Sequence, residues 1–112
     1  MNSSIVIALP KIDDAKKIRT ILNRHGFSVA AVCSTASTAL ASMSELDGGI
    51  LICGYKLTDR YYRDVLEDIP SYFEMLLLAS GRVIAEAPTS VLTVEMPMKV
   101  SDLVCLLYTS PS

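Results

Sequence analysis

The chain is 112 residues long, 51% hydrophobic and 20% charged, with a formal net charge of -2. That length holds one domain around one core, and the apolar fraction excludes a disordered chain. The slightly acidic balance offers no patch of Lys and Arg of the kind DNA or RNA demands, so nucleic-acid binding by this segment is not expected.

The first ten residues are apolar, but they lack a positively charged leader and a small-residue cleavage site, so residues 5–9 read as a buried strand rather than a signal peptide. No apolar run approaches the roughly 20 residues of a membrane-spanning helix, and a cytoplasmic protein is expected. Ile12, Ala15, Ile18 and Leu22 then recur at intervals of three and four, with Lys16, Lys17, Arg19 and Arg24 elsewhere on the same amphipathic helix. Gly26 suits a left-handed helix end, and residues 27–33 follow as a strand. Behind a cap candidate at Ser34-Thr35, the residues Ala36, Ala39, Leu40, Met43 and Leu46 repeat the helical spacing, until Asp47-Gly48-Gly49 ends the element.

Residues 50–53, 75–79 and 91–94 are short, continuously apolar runs, the pattern of strands buried on both faces of a parallel sheet. Residues 60–68 form a short helix ended by Pro70, residues 81–87 at most two turns before Pro88, and Ser101 opens a last helix. Regular alternation of this kind implies right-handed crossovers. The expected fold is α/β, a doubly wound five-stranded parallel sheet with its last helix truncated.

Five strands alternating with helices in this length, with Gly26-Phe27 and Met96-Pro97 as punctuation, resemble the CheY-like receiver domain of response regulators over residues 3–104. The resemblance implies five active-site positions. It places the metal-binding acid pair on Leu9 and Pro10, the phospho-accepting aspartate on Gly54, the hydroxyl residue of the fourth strand on Ala79, and the lysine of the fifth strand on Met96. The aromatic switch position of the fifth strand falls on Thr93. Phosphoryl transfer to a carboxylate needs a hard cation on oxygen ligands, a nucleophilic oxygen and donors for the moving group. These residues offer none of them, so the expectation is a non-enzymatic pseudo-receiver with no cofactor and no metal.

The ALPK run of the first strand and the CGYKL run of the third also resemble bacterial regulators that carry a C-terminal ANTAR module, an RNA-binding antiterminator. On that resemblance the partner is a protein or an output domain following the receiver, with RNA reached only through that domain. An alternative function is a small-molecule sensor using an apolar pocket at the C-terminal strand ends, where open α/β sheets bind ligands. A third is a working phosphoreceiver that uses Asp13, Asp14 or Asp59.

Tyr55, Lys56, Tyr61 and Tyr62 are the candidate interaction residues, because aromatic and basic side chains on a loop above the strand ends suit partner contact. The bland reading of the same residues is that one of the tyrosines packs a helix. Asp13 and Asp14 read as first-turn surface charges favoured by the helix dipole, and His25 as a surface histidine in a last turn. Cys33 and Cys53 should lie on strands flanking the first, roughly 10 Å apart, beyond the roughly 7 Å reach of a disulfide. Residues 105–112 read CLLYTSPS, as does the translated end of a common transposon-based sequencing adapter, so the receiver-like domain is taken as 1–104 and the tail as non-native. A genuine Ser-, Thr- and Pro-rich terminus is the other reading.

Overall fold

A computed structural model describes residues 4–88 and 91–95. The elements run β1 (Ser4–Ala8), α1 (Ile12–Arg24), β2 (Val29–Cys33), α2 (Ala36–Ser44), β3 (Gly49–Gly54), α3 (Tyr62–Asp68), β4 (Phe73–Ala79), α4 (Gly81–Glu86) and β5 (Leu92–Glu95). The five strands form one all-parallel sheet in the order β2-β1-β3-β4-β5. The order reverses direction after β2, so the sheet is doubly wound, as the alternation of elements predicts. The expected last helix from Ser101, the residues Met96 and Pro97, and the tail 105–112 lie outside the described residues. No helix among the described residues is long and apolar enough to cross a membrane.

The continuous apolar runs split cleanly between the two faces of the sheet, because successive side chains of a strand point to opposite sides. Ile5, Ile7, Leu9, Ile50, Ile52, Leu76 and Leu78 pack with Ala15, Ile18 and Leu22 of α1. Val6, Ala8, Leu51, Cys53, Met75 and Leu77 pack on the other face with Ala36, Ala39 and Met43 of α2 and Tyr62 and Val65 of α3. β1, β3 and β4 are therefore buried on both faces, while the edge strands β2 and β5 are only partly covered. Ile12, expected on the buried face of α1, sits at the first helical position and stays 38% exposed.

β2 begins two residues later than the sequence pattern suggests, and the reason is the helix end before it. Gly26 adopts φ +86°, its N–H donates to the Asn23 carbonyl, and the Phe27 N–H donates to the Leu22 carbonyl at 3.0 Å. This is a Schellman closure, which uses the Phe27 amide before any strand can. α3 likewise starts at Tyr62 instead of Arg60. Leu57 N–H donates to the Arg60 carbonyl at 2.7 Å, which commits Arg60 to the preceding loop.

At the start of β3 the backbones of two strands come unusually close. Gly49 pairs with Ser4, and a Cβ on Gly49 would fall 1.8 Å from the Ser4 carbonyl oxygen. Only glycine fits there.

Candidate functional site

The C-terminal edge of the sheet is where an open α/β fold gathers its chemistry, since the loops leaving the strands converge there. Leu9 and Pro10 follow β1, Gly54 ends β3 and Ala79 ends β4. Leu9, Gly54 and Ala79 are buried while Pro10 is exposed. A Cβ on Gly54 would meet Leu9 Cδ2 at 3.2 Å and Pro10 Cδ at 3.4 Å, so these hydrocarbons already lie against the glycine. At this point of the expected apolar pocket, the protein's own side chains take up the space. Met96, the remaining position, lies outside the described residues.

Among the described residues, no group of three or more His, Cys, Asp or Glu is placed to hold a metal ion. Asp13 and Asp14 stand in the first turn of α1, as the dipole argument expects, and His25 is the residue that caps its C-terminus. One acid near the strand ends escapes the sequence reading altogether. The Glu95 carboxylate, at the end of β5, lies over Gly81, 2.6 Å from where a Cβ would stand.

Asp59 has a definite job. Its carboxylate accepts from the Ala36 N–H at 2.7 Å, from the Ser37 N–H at 3.2 Å and from the Ser37 hydroxyl at 3.1 Å. It thus caps α2 from a distant loop, beside Thr35, whose hydroxyl accepts from the Thr38 N–H. Those backbone donors, Ala36 first, hold its pKa below the ordinary carboxylate range. A depressed carboxylate contributes stability above its unfolded pKa and loses it as pH falls through the folded one. Asp59→Ala should therefore cost about 1 kcal/mol at neutral pH, as a lost cap typically does. Urea midpoints of the two proteins should converge below the normal Asp range; a gap independent of pH would refute the charge-assisted cap.

The loop from Gly54 to Tyr62 is a small closed hairpin. Lys56 and Tyr61 form an antiparallel bridge, and the Tyr62 N–H donates to the Tyr55 carbonyl at 3.0 Å. Leu57, 1% exposed, plugs it into the core, and the Thr58 hydroxyl donates to the Ser34 carbonyl at 3.0 Å. Held this way, the loop presents two of the candidate tyrosines. Tyr55 and Tyr61 are each 45% exposed, their ring centroids 5.5 Å apart in an edge-on pair, with the Lys56 ammonium 5.4 Å over the Tyr61 ring.

Tyr62 corrects the expectation of an exposed contact residue. It is 2% exposed, packs inside the core as the first residue of α3, and its hydroxyl accepts from Arg63 Nε at 3.2 Å. The helix-packing alternative describes it. A cleft of about 490 Å³ runs from Tyr55 and Tyr61 past Arg63 and Asp64 to Val83 and Glu86 of α4.

Cys33 and Cys53 are free, buried and on the two strands that flank β1, each in register with Ala8. Burial pushes the Cys53 thiol up to about 12 and raises that of Cys33. Both thiols are protonated at neutral pH and make poor nucleophiles.

No protein-family model matches this chain, and no curated protein matches it. Solved structures do. The response regulator PhyR from Brucella abortus superposes with a TM-score of 0.78 at 17% identity, over 96% of this chain and 48% of that one. The chemotaxis response regulator CheY4 of Vibrio cholerae gives 0.80 at 13% identity, over 96% and 98%. A response regulator receiver domain protein from Bacillus halodurans gives 0.71 at 20% identity, over the whole of both chains. The chain spans about half the length of the PhyR proteins it matches. The fold is the CheY-like receiver fold.

Proposed function

We propose that this chain is a signal-transduction receiver domain that does not take up phosphate and works by protein contact. The observation that carries the reading is the chemistry of the strand ends, where Leu9 and Pro10 lie as hydrocarbon against Gly54. A receiver built on these residues has no nucleophilic oxygen at the end of β3 and no oxygen ligands at the end of β1 for a divalent cation. The nearest acid after β3, Asp59, is occupied in capping α2. Without a switchable site the domain holds one state, and its output is a constitutive contact.

The contact surface in this reading is the closed hairpin with Tyr55, Lys56 and Tyr61. Rigid, half-exposed aromatic side chains lose little entropy on binding and are favoured at interface centres. The resemblance of the first and third strands to ANTAR-type regulators supports a more specific form, in which a following output module binds RNA and the receiver supplies the protein contact.

Amide NMR spectra recorded with and without Mg²⁺ and beryllofluoride, which together mimic an aspartyl phosphate, test the first half of the proposal. The spectra should superimpose. Shifts concentrated at the ends of β1, β3 and β4 would mean that an acid site operates there.

A further inference from the structure

We infer that the open edge of β2 is a second docking surface, built to receive an extended acidic segment of another protein as an added strand. Among the described residues β2 is the terminal strand of the sheet and pairs with β1 alone. Cys33 commits its carbonyl to the Leu9 N–H at 3.1 Å on the β1 side. By strand alternation the N–H and C=O of Val32 point the other way, to the open edge.

Edges of this kind are blunted by a lysine, a proline, a bulge or a covering element. The β2 sequence VAAVC carries neither residue, and its one register shift, where Ile5 pairs with Val29 and Val6 with Ala31, falls at Ala30, ahead of the regular register of Val32 and Cys33. Its small Ala30 and Ala31 leave room for the side chains of an incoming strand. Beside it runs a groove of about 300 Å³, floored by Val29, Ala30, Ala31 and Val32 and walled by Ile12, Lys16 and Arg19 of α1. Those three lie four and three residues apart, on one flank of the helix. The exposed Ile12 gives an apolar anchor and the two cations a charged rail.

Charge decides what enters. Residues 11–24 hold five of the ten Lys and Arg of a chain whose net charge is -2, against the two acids Asp13 and Asp14. A second copy pairing edge to edge about a two-fold axis would bring Lys16 and Arg19 of both copies onto the same side of the joined sheet, where they repel. An acidic strand meets the same cations with attraction, and its backbone can pair with the outward-facing groups of Val32.

The probe is a capped peptide of alternating Val and Thr with Glu at both ends, titrated into the whole chain and followed by fluorescence anisotropy and amide hydrogen exchange. Saturable binding is expected, with exchange at the Val32 amide slowed by about tenfold or more. Val32→Pro removes the outward donor at a position where edge strands tolerate proline, and should abolish binding. Should that variant not fold, the exposed pair Lys16→Glu with Arg19→Glu keeps the test alive, with affinity falling by about tenfold. No binding, protection elsewhere in the domain, or unaltered affinity in the charge-reversed protein overturns the inference. So does a dimer in sedimentation that Val32→Pro dissolves, which would assign the edge to a second copy.

Discussion

Gly54→Asp, which places an aspartate at the end of β3, is expected to yield a protein that folds, is destabilised, and still takes no phosphoryl group from a small donor. The new Cβ arrives 3.2 Å from Leu9 Cδ2 and 3.4 Å from Pro10 Cδ, a tight but yielding contact. The carboxylate then sits against hydrocarbon, where desolvation favours its neutral form and raises its pKa. A penalty of about 2 kcal/mol at neutral pH is expected. The sign of its pH dependence follows. A carboxylate whose folded pKa is raised costs most above that pKa, and the charge penalty disappears once pH falls below the unfolded value, roughly 3.9. Gly54→Asn, which has the same shape without the charge, separates the two terms. Urea denaturation of the pair should show curves that diverge as pH rises; parallel curves would place the Asp side chain in solvent. Efficient phosphorylation of Gly54→Asp would mean that other oxygens at the strand ends hold the cation.

Gly49→Ala should be among the most disruptive single changes available in the described part of the chain. A Cβ there would stand 1.8 Å from the Ser4 carbonyl oxygen, 2.8 Å from the Ser4 carbonyl carbon and 2.9 Å from the Ser4 amide nitrogen. All three are backbone atoms of β1, so no side-chain rotation can relieve the clash. The strands must part at the point where the central pair of the sheet begins. Gly49 also has φ +155°, a conformation that side chains rarely adopt. Together these should cost about 4 kcal/mol, a large share of the stability of a small domain. The melting temperature should drop by roughly 15 °C or more.

Gly26→Ala is the natural control. Gly26 has φ +86° with nothing among the described residues within 4 Å of its Cβ position, so only the backbone term applies, about 1 kcal/mol. If the two variants melt at the same temperature, the close approach of β1 and β3 is not a feature of the protein in solution.

Much of the architecture is legible in the residues, because burial on both faces writes itself as continuous apolar runs. ILIC of β3 and MLLLA of β4, too short for buried helices and bounded by glycine, proline and serine, read as interior strands of a parallel sheet, and the cap at Thr35 and the stop at Gly26 come from chemistry local to a few residues. The boundaries that shifted did so for tertiary reasons. Phe27 looks like strand, yet its amide closes α1; Arg60 looks like helix, yet its carbonyl closes a hairpin.

The site was legible only in part. The choice of Leu9, Pro10, Gly54 and Ala79 rests on the resemblance to receivers, and the contact of Leu9 and Pro10 with Gly54 has no sign in the sequence at all. Three tyrosines near one another in the chain carry no sign of which is buried. Tyr62 goes into the core because it begins α3, on the face that also buries Val65, while Tyr55 and Tyr61 lie in the hairpin above. Asp59 could not be distinguished from a free surface acid, since its partners Ala36 and Ser37 are over twenty residues away.

On the proposed function, the strand ends of this receiver fold carry no phosphate chemistry. Incubation of the intact chain with acetyl phosphate and Mg²⁺, followed by intact-mass spectrometry, tests it most directly. A single species at the unmodified mass is expected at every time point. A stoichiometric gain of one phosphoryl group, mapped to Asp13, Asp14 or Asp59, would contradict it.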